Sequence, residues 1–162
     1  PLMRLTHDQF FNFDSPMAPI FSAASRSMDG NMAGRLFMHL AEHPIKRILL
    51  GCRRCGDCAI QHVGFLCPES QCPKHIRNGA CGGSRHGMCE VNPDRHCVWY
   101  RAHNRLASRG RVAELCDGCV PPRMWELNDT SAWLNFHLLR DHQSDGGEIS
   151  GVCREMSCRL LE

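Results

Sequence analysis

Long apolar runs, lysine and strong net charge are all lacking in this chain. No stretch of its 162 residues approaches the ~20 consecutive apolar residues that a membrane-spanning helix needs. The N-terminal stretch 1–14 also lacks the apolar core and cleavage site of a signal peptide. Lysine occurs only at Lys46 and Lys74, and the formal net charge is only +2. Without a basic stripe, this charge disfavours nucleic-acid binding, so we expect neither a membrane nor a nucleic acid as partner.

Motifs that would identify a self-sufficient enzyme are also missing. We find no Ser-His-Asp arrangement, phosphate-binding loop or dinucleotide fingerprint, and the glycine-rich segment 79–83 lacks the flanking strand and helix of such a fingerprint. Aromatic residues make up only 7% of the chain, which predicts a modest apolar core. Bound metal is therefore expected to contribute to the folding free energy.

Cysteine, by contrast, is abundant, with 12 residues, and eight of them fall inside one 46-residue segment. Eight thiolates are the full ligand set of two four-iron clusters, or of two four-coordinate zinc sites. Closely spaced C-x2-C pairs chelate metals well but make poor structural disulfides, so we expect metal binding in a reducing cytoplasm. The eight candidate ligands are Cys52, Cys55, Cys58, Cys67, Cys72, Cys81, Cys89 and Cys97.

The spacing Cys52-x2-Cys55-x2-Cys58 favours iron–sulfur clusters over zinc. It lets one tight loop direct three thiolates to one cluster, and in bacterial ferredoxins a further cysteine followed by proline completes the pattern. Cys67 and Cys72 are each followed by proline. Zinc usually takes two C-x2-C pairs per site. It remains the alternative metal that the same cysteines would bind.

Four more cysteines follow in two pairs, Cys116-x2-Cys119 and Cys153-x4-Cys158. Two pairs making four ligands are typical of a structural zinc site, and a third cluster would use the same set. Such a site would attach the C-terminal tail to the domain. The alternative is that the tail cysteines are free thiols or a labile pair.

The pattern of apolar residues predicts a small, mostly α, loop-rich and metal-stabilised domain, with ferredoxin-like cysteine loops flanked by short helices. Helices are expected over 32–43, 97–108 and 130–141, with Pro44 ending the first. We divide the chain into an N-terminal arm (1–30), a cysteine-rich metal-binding domain (31–147) and a tail (148–162).

The arm is expected to be extended, because its aromatic residues follow no helical or strand period and its prolines interrupt both. It would either wrap on its own domain or dock on a partner.

Several stretches of the chain have a characteristic order and spacing. They are Gly51-Cys52-x2-Cys55-Gly56-x-Cys58, then Cys67-Pro68 and Cys72-Pro73-Lys74, then Asn78-Gly79-Ala80-Cys81-Gly82-Gly83-Ser84 and Gly87-x-Cys89-Glu90-Val91, then Cys97-Val98-Trp99, and last Ser131-x-Trp133-Leu134-Asn135-Phe136 with Asp141-His142. Over residues 35–142 they resemble the methylenetetrahydrofolate reductase C-terminal domain family. That family includes the small cysteine-rich subunit of the two-subunit reductases of acetogens. Ala80 departs from the pattern, where proline is expected; this should loosen a turn without removing a ligand.

The resemblance implies a non-catalytic subunit whose partner carries the catalytic barrel and its FMN. On this hypothesis two [4Fe-4S] clusters pass electrons to a flavin-bearing methylenetetrahydrofolate reductase in one-carbon metabolism. The electron donor to these clusters would be a ferredoxin-like protein. Relatives also occur beside folate-dependent demethylation systems, so a folate-dependent methyltransferase is the other partner to consider. The alternative function is a zinc-stabilised structural adaptor of such a complex that transfers no electrons.

Overall fold

The computed structural model describes residues 2–115 and 120–143, and this part of the chain is mostly helical. It contains six α-helices, one two-stranded antiparallel sheet and three short 3-10 helices. No helix among these residues is long and apolar enough to cross a membrane. The α-helices are α1 (Leu2–Phe10), α2 (Ala18–Asp29), α3 (Met32–Leu50), α4 (Pro68–Gln71), α5 (Val98–Ala107) and α6 (Ala132–His137). The strands are β1 (Ser84–Arg85) and β2 (Met88–Cys89), and the 3-10 helices are Ile60–Val63, Val112–Leu115 and Trp125–Leu127.

The described residues divide into two compact units. The first unit consists of residues 2–58 and 123–143 and contains α1, α2, α3 and α6. The second consists of residues 59–115 and 120–122 and contains α4, the β1–β2 hairpin and α5. The small, mostly helical, loop-rich fold is confirmed, whereas metal stabilisation and ferredoxin-like loops stay predictions.

The N-terminal segment 1–30 is not extended, and that prediction was wrong. Helices α1 and α2 account for most of it, and Pro19 lies in the first turn of α2, where a missing N–H costs nothing. The aromatic rings find partners within the first unit: Phe10 stacks on Phe21 at 5.3 Å between ring centroids, and Phe13 stacks on Phe136 of α6 at 4.1 Å. The period was missed because two short helices separated by a turn share no continuous pattern.

Helix α3 does not end at Pro44, as the sequence predicted, but continues to Leu50. Asn31 caps its N-terminus by accepting a hydrogen bond from the Gly34 amide, and Gly51 ends it in the left-handed conformation, with φ 64°. Pro44 removes one backbone donor inside the helix without breaking it.

The core of the second unit forms around α5, a helix that the sequence predicted over 97–108. Its buried side chains pack against Val63, Leu66 and Leu115. Trp99 also donates a hydrogen bond from Nε1 to the carbonyl oxygen of Ile76 at 3.2 Å. Of the four positions that the apolar pattern predicts to face inward, Val98, His103, Leu106 and Ala107, His103 is only half-buried and Ala107 is exposed. The residues that α5 buries are Val98, Trp99, Ala102 and Leu106.

Candidate metal centre

The first three cysteines lie on a loop that begins directly after α3 in the first unit. The backbone amide of Arg54 donates to Sγ of Cys52 at 3.4 Å. Cys55 is buried, and its Sγ donates to the carbonyl oxygen of Asp57 at 3.4 Å. An N–H group directed at a sulfur stabilises the thiolate form, which is the form that binds metal. For Cys52, burial outweighs this hydrogen bond and raises the pKa of the thiol, and Cys55 acts as a hydrogen-bond donor, that is, as a thiol.

Gly56 lets this loop pass close to the segment that precedes α6. A Cβ atom at Gly56 would lie 1.9 Å from the carbonyl oxygen of Leu127, and φ is 73°. Asn135 donates from Nδ2 to the Gly56 carbonyl at 2.8 Å, and the amide of Asp129 donates to the carbonyl oxygen of Arg54 at 2.8 Å. The loop conformation is thus fixed by backbone contacts that only glycine permits.

Lys46 of α3 lies beside the same loop. It forms an ion pair with Glu42, one turn earlier in the helix. Partial burial by itself lowers the pKa of Lys46, but the neighbouring Cys58 and Glu42 outweigh this, with Cys52 adding to them, and the pKa is raised above its ordinary value. A permanent positive charge at this position would partly offset the charge of a thiolate-ligated metal centre.

Three further side chains of metal-ligating types meet in the first unit. Within the described part of the chain, Asp57, Asp141 and His142 form the one group of three His, Cys, Asp or Glu residues whose ligand atoms all lie within 4.8 Å of one another. Both carboxylates are buried, and Asp57 accepts hydrogen bonds from the amide and Nδ1 of His142. Burial raises the pKa of Asp141, and the adjacent His142 opposes this.

Sequence reasoning did not predict this group. The motif Asp141-His142 was noted only as part of the resemblance, and Asp57 is one acidic residue between Cys55 and Cys58. No spacing rule joins positions 85 residues apart. The group fixes the cysteine loop to the segment after α6, because Asp57 belongs to the first and His142 to the second.

The five other described cysteines lie in the second unit. Cys67 and Cys72 flank the single-turn helix α4, and Cys97 precedes α5 as its N-cap residue. Cys72 and Cys97 pack against the apolar core. Cys89 belongs to β2, whereas Cys81 is exposed. Secondary-structure elements thus hold four of these five cysteines at defined backbone positions.

Cys81 is surrounded by the same kind of groups as Cys52. The amide of Gly83 donates to Sγ of Cys81 at 3.4 Å. Lys74 pairs with Glu90; this hydrogen bond chiefly raises the pKa of Lys74, and Cys81 and Cys89 raise it further. Each of the two lysines in the chain therefore lies beside two cysteines.

The structure separates the predicted ligands as three cysteines in the first unit and five in the second. In the described residues, no three cysteine sulfurs come within 4.8 Å of one another. Cys116, Cys119, Cys153 and Cys158 lie outside the described residues, so the predicted third site stays a prediction.

The cysteine order and the fold around it define a family. The family model described as methylene-tetrahydrofolate reductase C terminal matches residues 33–126, which is more than half of the chain. The chain belongs to this family, and the resemblance seen in the sequence is confirmed. The matched region begins at the start of α3 and includes all eight cysteines from Cys52 to Cys97. No curated protein and no solved structure matches the chain.

Proposed function

We propose that this chain is an accessory subunit that passes electrons through two [4Fe-4S] clusters to a flavin-bearing methylenetetrahydrofolate reductase. The observation that carries the proposal is the set of eight closely spaced cysteines, all of which lie inside the matched family region. The spacing Cys52-x2-Cys55-x2-Cys58 supports clusters over single zinc ions, because it lets one tight loop direct three thiolates to one cluster.

The residues around the cysteines fit ligation of an anionic group. Backbone amides point at Cys52 and Cys81, and Lys46 and Lys74 each supply a positive charge next to two cysteines. Hydrogen bonds and positive charge near ligand sulfurs raise the reduction potential of a bound centre. A four-iron cluster, when bound, exchanges one electron at a time.

Exposure of the ligands bears on access for redox partners. Cys81 is exposed, whereas Cys55 and Cys67 are buried. An exposed ligand such as Cys81 would let a donor protein approach the centre, while buried ligands would protect the centre from water. We assign the FMN and the methylenetetrahydrofolate to the partner subunit, and we expect no reductase turnover by this chain alone.

Reconstitution with the partner tests the proposal. The chain, purified without oxygen, is mixed with the flavin-bearing reductase subunit, and turnover is measured with reduced viologen as donor. We expect a brown protein that contains iron and sulfide, and donor-driven turnover that Cys55→Ser strongly reduces. A reductant that acts directly on the flavin should support the same rate with Cys55→Ser as with the unmodified chain.

Two results would contradict the proposal. A colourless protein with stoichiometric zinc, together with equal donor-driven rates for both chains, would favour the structural adaptor. Reductase turnover by the isolated chain would overturn the assignment of the flavin to the partner.

A further inference from the structure

Helix α3 carries a row of apolar side chains on a side that faces away from its own unit. None of its 19 residues is buried. At 100° per residue, Leu36, Phe37, Leu40 and Ile48 fall on one side of the helix, here called the apolar stripe. These four side chains are 57% to 84% exposed. The apolar pattern of the sequence predicts an amphipathic helix with Met32, Leu36, Phe37 and Leu40 on one face, and the structure turns that face outward.

The opposite side of α3 holds the helix on its unit through polar groups. Glu42 accepts hydrogen bonds from Oγ of Ser131 and from the backbone amide of Trp133, 3.3 Å away, both at the start of α6. Lys46 lies over the ring of Phe11, with Nζ 4.8 Å from the ring centroid. A surface helix normally buries its apolar face and exposes its polar face. Here the arrangement is reversed.

An exposed apolar face of this length indicates a binding surface. From Leu36 to Ile48 the apolar stripe extends about 18 Å, at a rise of about 1.5 Å per residue. Arg47 lies along the same side of the helix and is exposed. Among the described residues, it forms no ion pair. The stripe contains no acidic residue, since Glu42 points the other way.

Charge decides between the occupants of this surface. A second copy of the chain would place Arg47 opposite another stripe that contains no carboxylate, so Arg47 would have no ion-pair partner in a self-associated dimer. A partner that combines an apolar surface with a carboxylate would complement both the apolar stripe and the positive charge of Arg47. The stripe also ends four residues before Cys52, which places its occupant next to the cysteine loop.

We infer that the apolar stripe is the docking surface for the flavin-bearing reductase subunit, which meets Arg47 with an acidic side chain. This inference rests on the proposed function, because it takes the reductase as the partner. It adds where the reductase binds and which chemistry recognises it. Docking at this helix brings the electron acceptor to the end of α3 at which the candidate ligands begin.

Matched substitutions test the stripe. Full-length chain with its metal centres is titrated calorimetrically with the purified FMN-containing reductase subunit. Leu40→Glu should weaken binding at least about 30-fold, as expected for a central interface residue. Leu5→Glu is the control, because Leu5 and Leu40 are both 63% exposed and Leu5 lies on α1. It should leave the Kd within about twofold.

The charged position is tested in the same way. Arg47→Glu should weaken binding about tenfold and reduce its salt dependence, since it replaces an attraction by a repulsion. Arg35→Glu, on the opposite side of α3, should change neither. Unchanged metal content and circular dichroism in all four variants would establish that the fold is retained.

Each other outcome overturns the inference in a distinguishable way. Wild-type affinity of Leu40→Glu means that the reductase binds elsewhere, and the proposed function survives. No binding by the unmodified chain contradicts the proposed function as well. A dimer that Leu40→Glu converts to a monomer in sedimentation identifies a second copy as occupant. An effect of Leu40→Glu on binding that disappears when residues 144–162 are deleted identifies the tail as occupant.

Discussion

At the scale of single residues, the candidate metal loop depends on positions where no other side chain fits. Gly56 combines a left-handed backbone with a carbonyl oxygen of Leu127 in the space that a Cβ would need. The neighbouring Arg54 is also left-handed, with φ 56°. Two left-handed residues so close together bend the chain sharply between Cys52 and Cys58.

Gly56→Ala should therefore destabilise the protein by roughly 3–5 kcal/mol, because it adds a steric clash to left-handed strain. Gly110→Ala is the matched control, since Gly110 has φ 64° but no atom within 4 Å of an added Cβ. It should cost about 1 kcal/mol. Urea unfolding of both variants measures the difference. Equal losses would mean that the contact with Leu127 relaxes without cost.

His7 provides a pH-dependent contribution to stability. The side chain is buried and stacks on Phe11 at 5.1 Å between ring centroids. Burial lowers its pKa from 6.5 to about 4, while Asp8 opposes the shift. Between these two values the unfolded chain binds a proton that the folded chain does not bind. The free energy of unfolding should therefore be highest above pH 6.5 and fall as the pH decreases towards 4.

The expected loss is roughly 2 kcal/mol between about pH 6.5 and pH 5. It is measured by urea unfolding at several pH values, with His7→Leu as the comparison. The cysteine ligands are the same in both proteins, so protonation of thiolates cancels in the difference. Parallel pH profiles of the two proteins would contradict the assignment to His7.

At the scale of elements, short helices are set by their caps and by contacts with distant residues. α6 is shorter than the predicted 130–141, and Ser131 caps it by accepting a hydrogen bond from the Leu134 amide at 3.1 Å. The same hydroxyl donates to Glu42 of α3. One side chain thus both starts α6 and connects it to α3.

Ser131→Ala should cost about 1–2 kcal/mol, because it removes a helix cap and one hydrogen bond to a carboxylate. Asn31→Ala removes the exposed cap of α3, where the Gly34 amide donates at 2.6 Å, and should cost about 1 kcal/mol or less. Thermal unfolding compares the two. A larger loss for Asn31→Ala would indicate that the bond between Ser131 and Glu42 contributes nothing.

At the scale of the whole molecule, the cysteines are shared between two compact units. The chain leaves the first unit after Cys58 and returns to it at residue 123. The family match covers parts of both units. Metal content is therefore a property to be measured on the full chain rather than on either unit.

The four remaining cysteines predict a third, separate centre, more typical of zinc. Replacing Cys153 and Cys158 together by serine should release one metal equivalent and leave the eight-cysteine centres unchanged. Cys55→Ser is the complementary variant, which should remove metal from the core only. Elemental analysis of both proteins gives the result. Identical metal content with and without the tail cysteines would show that they are not ligands.

The sequence by itself determined the family, the mostly helical class and helix α5, because these follow from local spacing. Cysteine spacing and the 3.6-residue period are properties of neighbouring residues. Membership of the reductase C-terminal family was readable from the order of the cysteine and glycine motifs, and the family match confirms it.

Only the tertiary structure decided the remaining features, since each depends on residues far apart in the chain. Phe21 of α2 packs on Trp133 of α6, more than 100 positions away. Asp57 meets His142 across 85 positions. The apolar pattern of α3 was visible in the sequence, but its direction was not, because periodicity shows which residues share a face and not what that face contacts. The polar contacts of Glu42 with α6 decide that direction and leave the apolar stripe exposed.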